Sequence, residues 1–227
     1  MRILAIDTAL EACSAAVLDT THSAFLASES FPLVRGHAEA LMPLIQRVVH
    51  NSGFVFAEFD RIAVTVGPGS FTGLRVGISA ARGIALASGR PVVGLTTLAA
   101  FAAPLIAAND SIPVVAAIDA RHDHVYFQAF GQGGRPVGPP RIAPIHEAVR
   151  AAMIGPARII GSGASLIGAA WPKGEAPPVS LEARPAPDIN WVARLGAAAA
   201  EGQAPPKPLY LRAPDAQPQD AARLPRR

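Results

Sequence analysis

The strongest constraint on this fold is an order of local features that occurs twice. Ala5-Ile6-Asp7 and Ala117-Ile118-Asp119 each close an apolar run, and a short turn and a second apolar run follow each. Later, Arg61-Ile62-Ala63-Val64-Thr65-Val66 leads into Gly67-Pro68-Gly69-Ser70, and Arg158-Ile159-Ile160 leads into Gly161-Ser162-Gly163-Ala164. Short apolar runs bounded by turn residues read as buried strands, and a glycine-rich turn before a helical pattern reads as a strand-to-helix junction. Two strand–turn–strand units and two strand–glycine–helix units predict an internally duplicated α/β protein.

The pattern predicts strands over 2–6, 14–18, 61–66 and 91–94 in the first half, and over 114–118, 125–130 and 158–160 in the second. Leu41, Leu44, Ile45, Val48 and Val49 recur at helical spacing over 37–49. Further helices are expected over 72–87, over 97–104 (ending at Pro104) and over 191–201. The Pro-rich stretch 171–190 reads as a surface excursion. These elements divide the chain into an N-terminal half (1–105) and a C-terminal half (106–190). A closing segment, about 191–212, is expected to pack back on the first half, and a tail (213–227) is expected to be mobile.

Composition removes several chemistries. A single cysteine, Cys13, excludes a disulfide scaffold and a multi-cysteine zinc site. The two lysines, Lys173 and Lys207, sit in proline-rich stretches, so neither a P-loop lysine nor a Schiff-base lysine has a candidate. A net charge of +3 with no long basic run does not advertise a direct grip on nucleic acid. The uncharged run 91–109 contains Gly94, Thr96, Thr97 and Pro104, so it reads as buried core rather than a membrane span. The N-terminus, interrupted by Asp7 and Glu11, reads as strands rather than a signal peptide, and a cytoplasmic protein is expected.

The feature richest in chemistry is Gly67-Pro68-Gly69-Ser70-Phe71-Thr72-Gly73-Leu74-Arg75-Val76-Gly77. Free amides and the helix dipole converge at such a junction, which suits an anion. It also suits a tight turn with Ser70 or Thr72 capping the helix. With Asp7 and Thr8 at the end of the first strand, it makes Asp7, Thr8, Gly67, Gly69 and Ser70 a candidate nucleotide or anion site. Asp119 is the counterpart of Asp7, although either aspartate could simply form its turn. Gly73, Gly77 and Ala81 recur every four residues, a smooth stripe for close packing inside the subunit or against another. His122 and His124 share a face but lack a third ligand, His37 opens a helix, and Cys13 reads as a small buried residue.

The run GPGSFTGLRVGISAARGIALA after RIAVTV closely resembles the TsaB (YeaZ-type) family. ILAIDTALEACSAAVL, RGHAEALMPLI, VVAAIDARHDHVYFQAF and PLYLRAPDA agree with it, so the resemblance covers roughly residues 1 to 215. It implies a duplicated βββαβα fold of the actin/Hsp70/sugar-kinase (ASKHA) type in two subdomains. It also implies a non-catalytic dimerisation subunit. Its partners would be a catalytic TsaD-like subunit that forms threonylcarbamoyladenosine next to the tRNA anticodon, and a TsaE-like ATPase. tRNA would be met only through the complex, and a homodimer is a candidate state of the isolated chain. In TsaD-type proteins two histidines bind a metal where this chain has Thr97 and Phe101, and neither residue replaces an imidazole ligand. The second turn, Asp119-Ala120-Arg121-His122-Asp123, lacks the glycines that let backbone approach phosphate. No catalytic residue, metal or cofactor is therefore expected in this subunit, and ATP and a metal ion are expected in the partners.

The resemblance implies pairing through the helices 37–49 and 72–87. It thus places Leu41, Leu44, Gly73, Leu74, Arg75, Gly77, Ile78 and Ala81 at the partner interface. Two other readings stand beside this one. The first is an autonomous ATPase or small-molecule kinase of the same fold, using Asp7, Asp119 and Gly161–Gly163. The second is a metallopeptidase, for which no HExxH motif exists.

Overall fold

A computed structural model describes residues 1–22, 24–200 and 204–212. The first sheet contains β1 (Arg2–Asp7), β2 (Ala12–Asp19), β3 (Ala24–Pro32), β4 (Arg61–Gly67) and β5 (Val92–Thr96), in the order β3-β2-β1-β4-β5. The second contains β6 (Val114–Asp119), β7 (His124–Phe130), β8 (Arg141–Pro144), β9 (Arg158–Gly161) and β10 (Ser180–Ala183), in the order β10-β9-β6-β7-β8. Read in the opposite direction, the second order repeats the first. The pairing repeats too: the first three strands of each sheet are antiparallel neighbours, and the fourth and fifth join in parallel. The duplication expected from the sequence is therefore present strand by strand.

Each sheet is covered on both faces, which explains why β1, β2 and β4 read as continuous apolar runs. α1 (His37–Ser52) and α2 (Phe71–Ser88) cover one face of the first sheet, packing Leu41, Leu44, Ile45, Leu74 and Ile78 on Leu4, Ile6 and Val64. α4 (Ile145–Ala152) and α5 (Ala164–Ala169) cover the matching face of the second. The inner faces are covered by exchange. α3 (Thr97–Ala108) follows β5 but packs Leu98, Phe101 and Ala102 on Val114, Ala116 and Ile118 of the second sheet. α6 (Ile189–Ala198) follows β10 but packs Ile189, Val192 and Ala193 on Ile3, Ala5 and Ala63 of the first. Gly196 permits this approach, because a Cβ there would lie 2.3 Å from the Ala63 Cβ.

Two buried arginines clasp the exchanged helices. Arg61 opens β4 and donates from Nη1 to the carbonyls of Gly196 (2.9 Å) and Ala199 (2.6 Å) at the end of α6. Arg158 opens β9, the equivalent strand. It donates to the carbonyls of Leu105 (2.7 Å), Asn109 and Ile112 (2.7 Å) around the end of α3. A helix C-terminus presents carbonyls without intrahelical donors and a partial negative charge, so a guanidinium suits it on both counts.

The structure changes several boundaries. The residue pattern showed two strands before the first helix, whereas β3 and its counterpart β8 make three. β3 is an edge strand whose exposed face carries Ser28 and Ser30, with Glu29 between them on the other face, so its polarity hid it. The stretch 171–190 is not only an excursion, since β10 lies within it as the second sheet's edge. α3 runs past Pro104 to Ala108. The half boundary at 105 cuts that helix, which belongs to the core of the second sheet. α6 begins at Ile189, where the Asp188 carboxylate accepts from the Asn190 amide at 2.9 Å. The tail 213–227 lies outside the described residues. No helix among the described residues is long and apolar enough to cross a membrane.

Replacing Arg158 or Arg61 with Met keeps the aliphatic stem but strands the helix-end carbonyls. Each change is expected to lower the unfolding free energy by about 3 kcal/mol, read from urea denaturation.

Candidate functional site: a cleft between the two sheets

The turns that follow β1, β4, β6 and β9 face one another across a cleft of about 760 Å³. Leu10, Glu11, His37, Gly69, Ser70 and Phe71 line it from the first half; Asp119, Arg121, Tyr126, Ser162 and Arg184 line it from the second. Leu209, Tyr210, Leu211 and Arg212 form a further wall.

The glycine-rich motif lies at this cleft but is filled from within. A Cβ on Gly69 would lie 2.3 Å from the Ala9 carbonyl oxygen. One on Gly73 would lie 2.1 Å from the Thr8 carbonyl oxygen, and one on Gly77 2.4 Å from Thr8 Oγ1. The three glycines therefore seat the β1–β2 turn against α2. Hydrogen bonds complete the contact: the Ser70 amide donates to the Ala9 carbonyl at 2.7 Å, and Thr8 Oγ1 donates to the Gly73 carbonyl at 2.7 Å. Ser70 Oγ accepts from the Gly73 amide at 3.3 Å and caps α2. Of the candidate anion site, only Gly69 and Ser70 line the cleft. Asp7, Thr8 and Gly67 are buried beneath it, which corrects their assignment as ligand contacts.

Asp7 sits at the end of β1 with its side chain wholly buried. Its Oδ1 accepts from the Thr65 hydroxyl and from the Ala9 amide, while Oδ2 is buried without a hydrogen-bond partner. Burial pushes the carboxyl up to about 6, against the opposing pull of those two donors and of His37. Asp119, its counterpart, is exposed and accepts from the Arg121 amide at 2.7 Å, the turn-forming role open to an aspartate. Arg121, His122 and Asp123 all adopt positive φ (61°, 51° and 58°), a conformation that costs a non-glycine residue about 1 kcal/mol or more. The turn keeps a glycine-like backbone path with side chains attached.

The residues expected at a partner interface divide sharply. Leu41, Leu44, Gly73, Leu74, Gly77, Ile78 and Ala81 are buried inside the subunit, and only Arg75 is exposed. The small-residue stripe serves internal packing against Thr8, so the interface assignment of these seven residues is corrected. Outward from the same helices stand Met42 and Gln46 on α1, and Ser79, Gly83 and Leu86 on α2, with Leu86 86% exposed.

The remaining candidates resolve as follows. Phe101 is 1% exposed and packs among Leu98, Ile118 and Ile160, while Thr97 is buried at the first turn of α3. A packed phenyl ring and a hydroxyl do not fit a metal, and no cluster of three candidate ligands exists among the described residues. His124 Nδ1 contacts the His122 carbonyl at 2.6 Å, and His37 Nε2 contacts the Leu10 carbonyl at 3.2 Å. Cys13 is buried on β2, and desolvation pushes its thiol up to about 11. Sequence reasoning missed one cluster at the cleft. The Arg75 guanidinium lies 3.7 Å over the Phe71 ring, Phe71 stacks on Tyr210 at 5.2 Å, and Arg75 Nε donates to the Tyr210 hydroxyl at 3.0 Å. Phe71 and Arg75 are four apart on α2, but no local signal joins them to Tyr210.

Comparison with known proteins places these features in a family. The family model described as TsaD, tRNA N6-adenosine threonylcarbamoyltransferase, matches residues 32–174. The tRNA threonylcarbamoyladenosine biosynthesis protein TsaB of Escherichia coli is 42% identical over 131 residues, 57% of this chain and 55% of that protein. The chain thus spans about half the length of that curated relative. The solved structure of YeaZ from Pseudomonas aeruginosa is 31% identical and superposes with a TM-score of 0.78, covering 92% of this chain and 99% of that one. An inorganic polyphosphate/ATP-glucomannokinase from Arthrobacter, 13% identical, superposes with a TM-score of 0.50, covering 87% of this chain and 98% of that one. That likeness concerns the fold alone, and it agrees with the sugar-kinase-type duplication.

Two outcomes separate internal packing from surface roles. Gly73→Ala is expected to lower stability by about 2–3 kcal/mol, because its methyl group meets backbone. Gly83→Ala, which has nothing within 4 Å of its Cβ, is expected to raise stability by about 1 kcal/mol. Urea denaturation of both variants tests this. Asp7 holds its proton more tightly folded than unfolded, so its contribution to stability falls as pH rises from about 4 to about 6 and is lowest above that. Asp7→Asn is expected to gain up to about 3 kcal/mol at pH 8, with the difference vanishing below pH 4, in denaturation curves across pH.

Proposed function

The chain belongs to the TsaB (YeaZ-type) family, and from that premise we propose that it is a non-catalytic scaffold subunit. On this reading it binds and activates a TsaD-like threonylcarbamoyltransferase that forms threonylcarbamoyladenosine beside the anticodon of tRNA, in the cytoplasm. A TsaE-like ATPase joins the assembly, and tRNA is met only through the complex. ATP and a metal ion belong to the partners, and this subunit holds no cofactor of its own. The isolated chain is a candidate homodimer, since a surface that fits a related fold often fits a second copy about a two-fold axis.

The observation that carries this reading is the filling of the glycine-rich motif by the chain's own Thr8–Ala9 turn. A phosphate cradle needs backbone amides that are free and approachable. Here the Ser70 amide is bound to Ala9, and the space beside Gly69 and Gly73 is occupied. Phe101, packed where TsaD-type proteins carry a metal-binding histidine, supports the same conclusion. The reading as an autonomous ATPase or small-molecule kinase loses support on both counts.

We place the pairing surface on the outward faces of α1 and α2. Met42, Ser79, Gly83 and Leu86 are exposed there, and the space around Gly83 is open. Leu86 is a large apolar side chain left almost entirely in water. Gly83→Glu and Leu86→Arg are each expected to abolish association with a TsaD homologue, measured as mass by light scattering, while far-ultraviolet circular dichroism stays unchanged. Normal association of both variants would sink this surface. Calorimetric titration of the isolated chain with ATP and Mg²⁺ is expected to show no turnover and no tight binding.

A further inference from the structure

We infer that residues 204–212 are a strap that sets the separation of the two halves across the mouth of the cleft. The strap begins as Pro205-Pro206-Lys207-Pro208, a composition that favours an extended chain and loses little entropy when ordered. Pro206 is buried against the middle of β5, so close that a Cβ on Gly94 would lie 2.9 Å from its own Cβ. The Leu209 amide donates to the Val66 carbonyl at 2.7 Å and prolongs the pairing edge of β4. Tyr210 then stacks on Phe71 and accepts from Arg75, which fixes the strap to the first turn of α2.

All of these anchors lie in the first half. The next one crosses the cleft: Arg212 Nη1 donates to the Ala120 carbonyl at 3.1 Å. Ala120 directly precedes the three residues of positive φ that form the β6–β7 turn. The strap therefore ties the rigid β4–α2 corner of one half to a strained turn of the other. At the base of the cleft the halves are joined by the exchanged helices α3 and α6, which touch one another. A joint at the base and a tie at the mouth describe a hinge with a latch, and the latch belongs to the chain itself. The opening of the cleft then needs no ligand to define it.

Spin labels on Val34→Cys and Ala183→Cys, exposed residues lining opposite walls of the cleft, report the separation by double electron–electron resonance. The native Cys13 is buried and does not interfere. In the otherwise unchanged full chain, a narrow distance distribution is expected. Leu209→Pro, Tyr210→Ala and Arg212→Ala together remove the backbone, ring and guanidinium anchors. This triple variant is expected to give longer distances and a distribution that roughly doubles in width, as for release of a hinge. Arg212→Ala alone leaves the strap on the first half and is expected to give a partial shift. An unchanged distribution in the folded triple variant overturns the inference. So does a triple variant that fails to fold while Arg212→Ala leaves the distances untouched.

Discussion

Each sheet of this protein is completed by the last helix of the other half, and the fold depends on that exchange. α3 leaves the first sheet to cover the second, α6 leaves the second to cover the first, and an arginine at the start of the fourth strand of each sheet holds the arriving helix by its terminal carbonyls. Neither half can bury the inner face of its own sheet, because the residues that would cover it belong to the other. The two sheets are thus separate in hydrogen bonding but joined in their cores. The cleft exists because the exchanged helices fill the base of the space between the sheets, which leaves the ends of the central strands facing one another.

That geometry changes the meaning of the glycine-rich motif. In isolation, a strand, glycines and a helix N-terminus describe both an anion cradle and a tight turn. The structure distinguishes them by what stands against the glycines: the backbone of Thr8 and Ala9 at distances that admit no side chain. The buried Asp7 follows from the same packing. Once the β1–β2 turn is pressed onto α2, the carboxylate at the end of β1 loses water, gains only two donors and holds its proton to about pH 6. Gly73 and Gly77, which would suit a helix–helix seam, are occupied by the chain's own turn. That leaves the opposite face of α2, with Gly83 and Leu86, for any partner.

Much of the fold was legible because it depends on local pattern and repetition. The central strands are apolar throughout, and the glycine turns punctuate the strand-to-helix junctions, so the duplicated order could be read before any contact was known. β3 and β10 were not legible as strands. An edge strand is half in water, and its polar positions resemble those of a loop. The site was less legible than the fold. The motif borders the cleft, but whether Leu41, Gly77 or Ile78 faced a partner or a core depends on which side of α1 and α2 meets the first sheet. The Arg75–Phe71–Tyr210 stack joins an i,i+4 pair of α2 to a residue distant in sequence, and nothing local signals that junction.

The sequence by itself determined the central strands, the glycine junctions, their repetition and the absence of histidines at 97 and 101. Each of these is a property of residue type and spacing. Only the tertiary structure decided which surfaces were spent internally. Burial, close approach and helix exchange arise when segments far apart in the chain meet, and periodicity shows that a helix has an apolar face without saying what covers it.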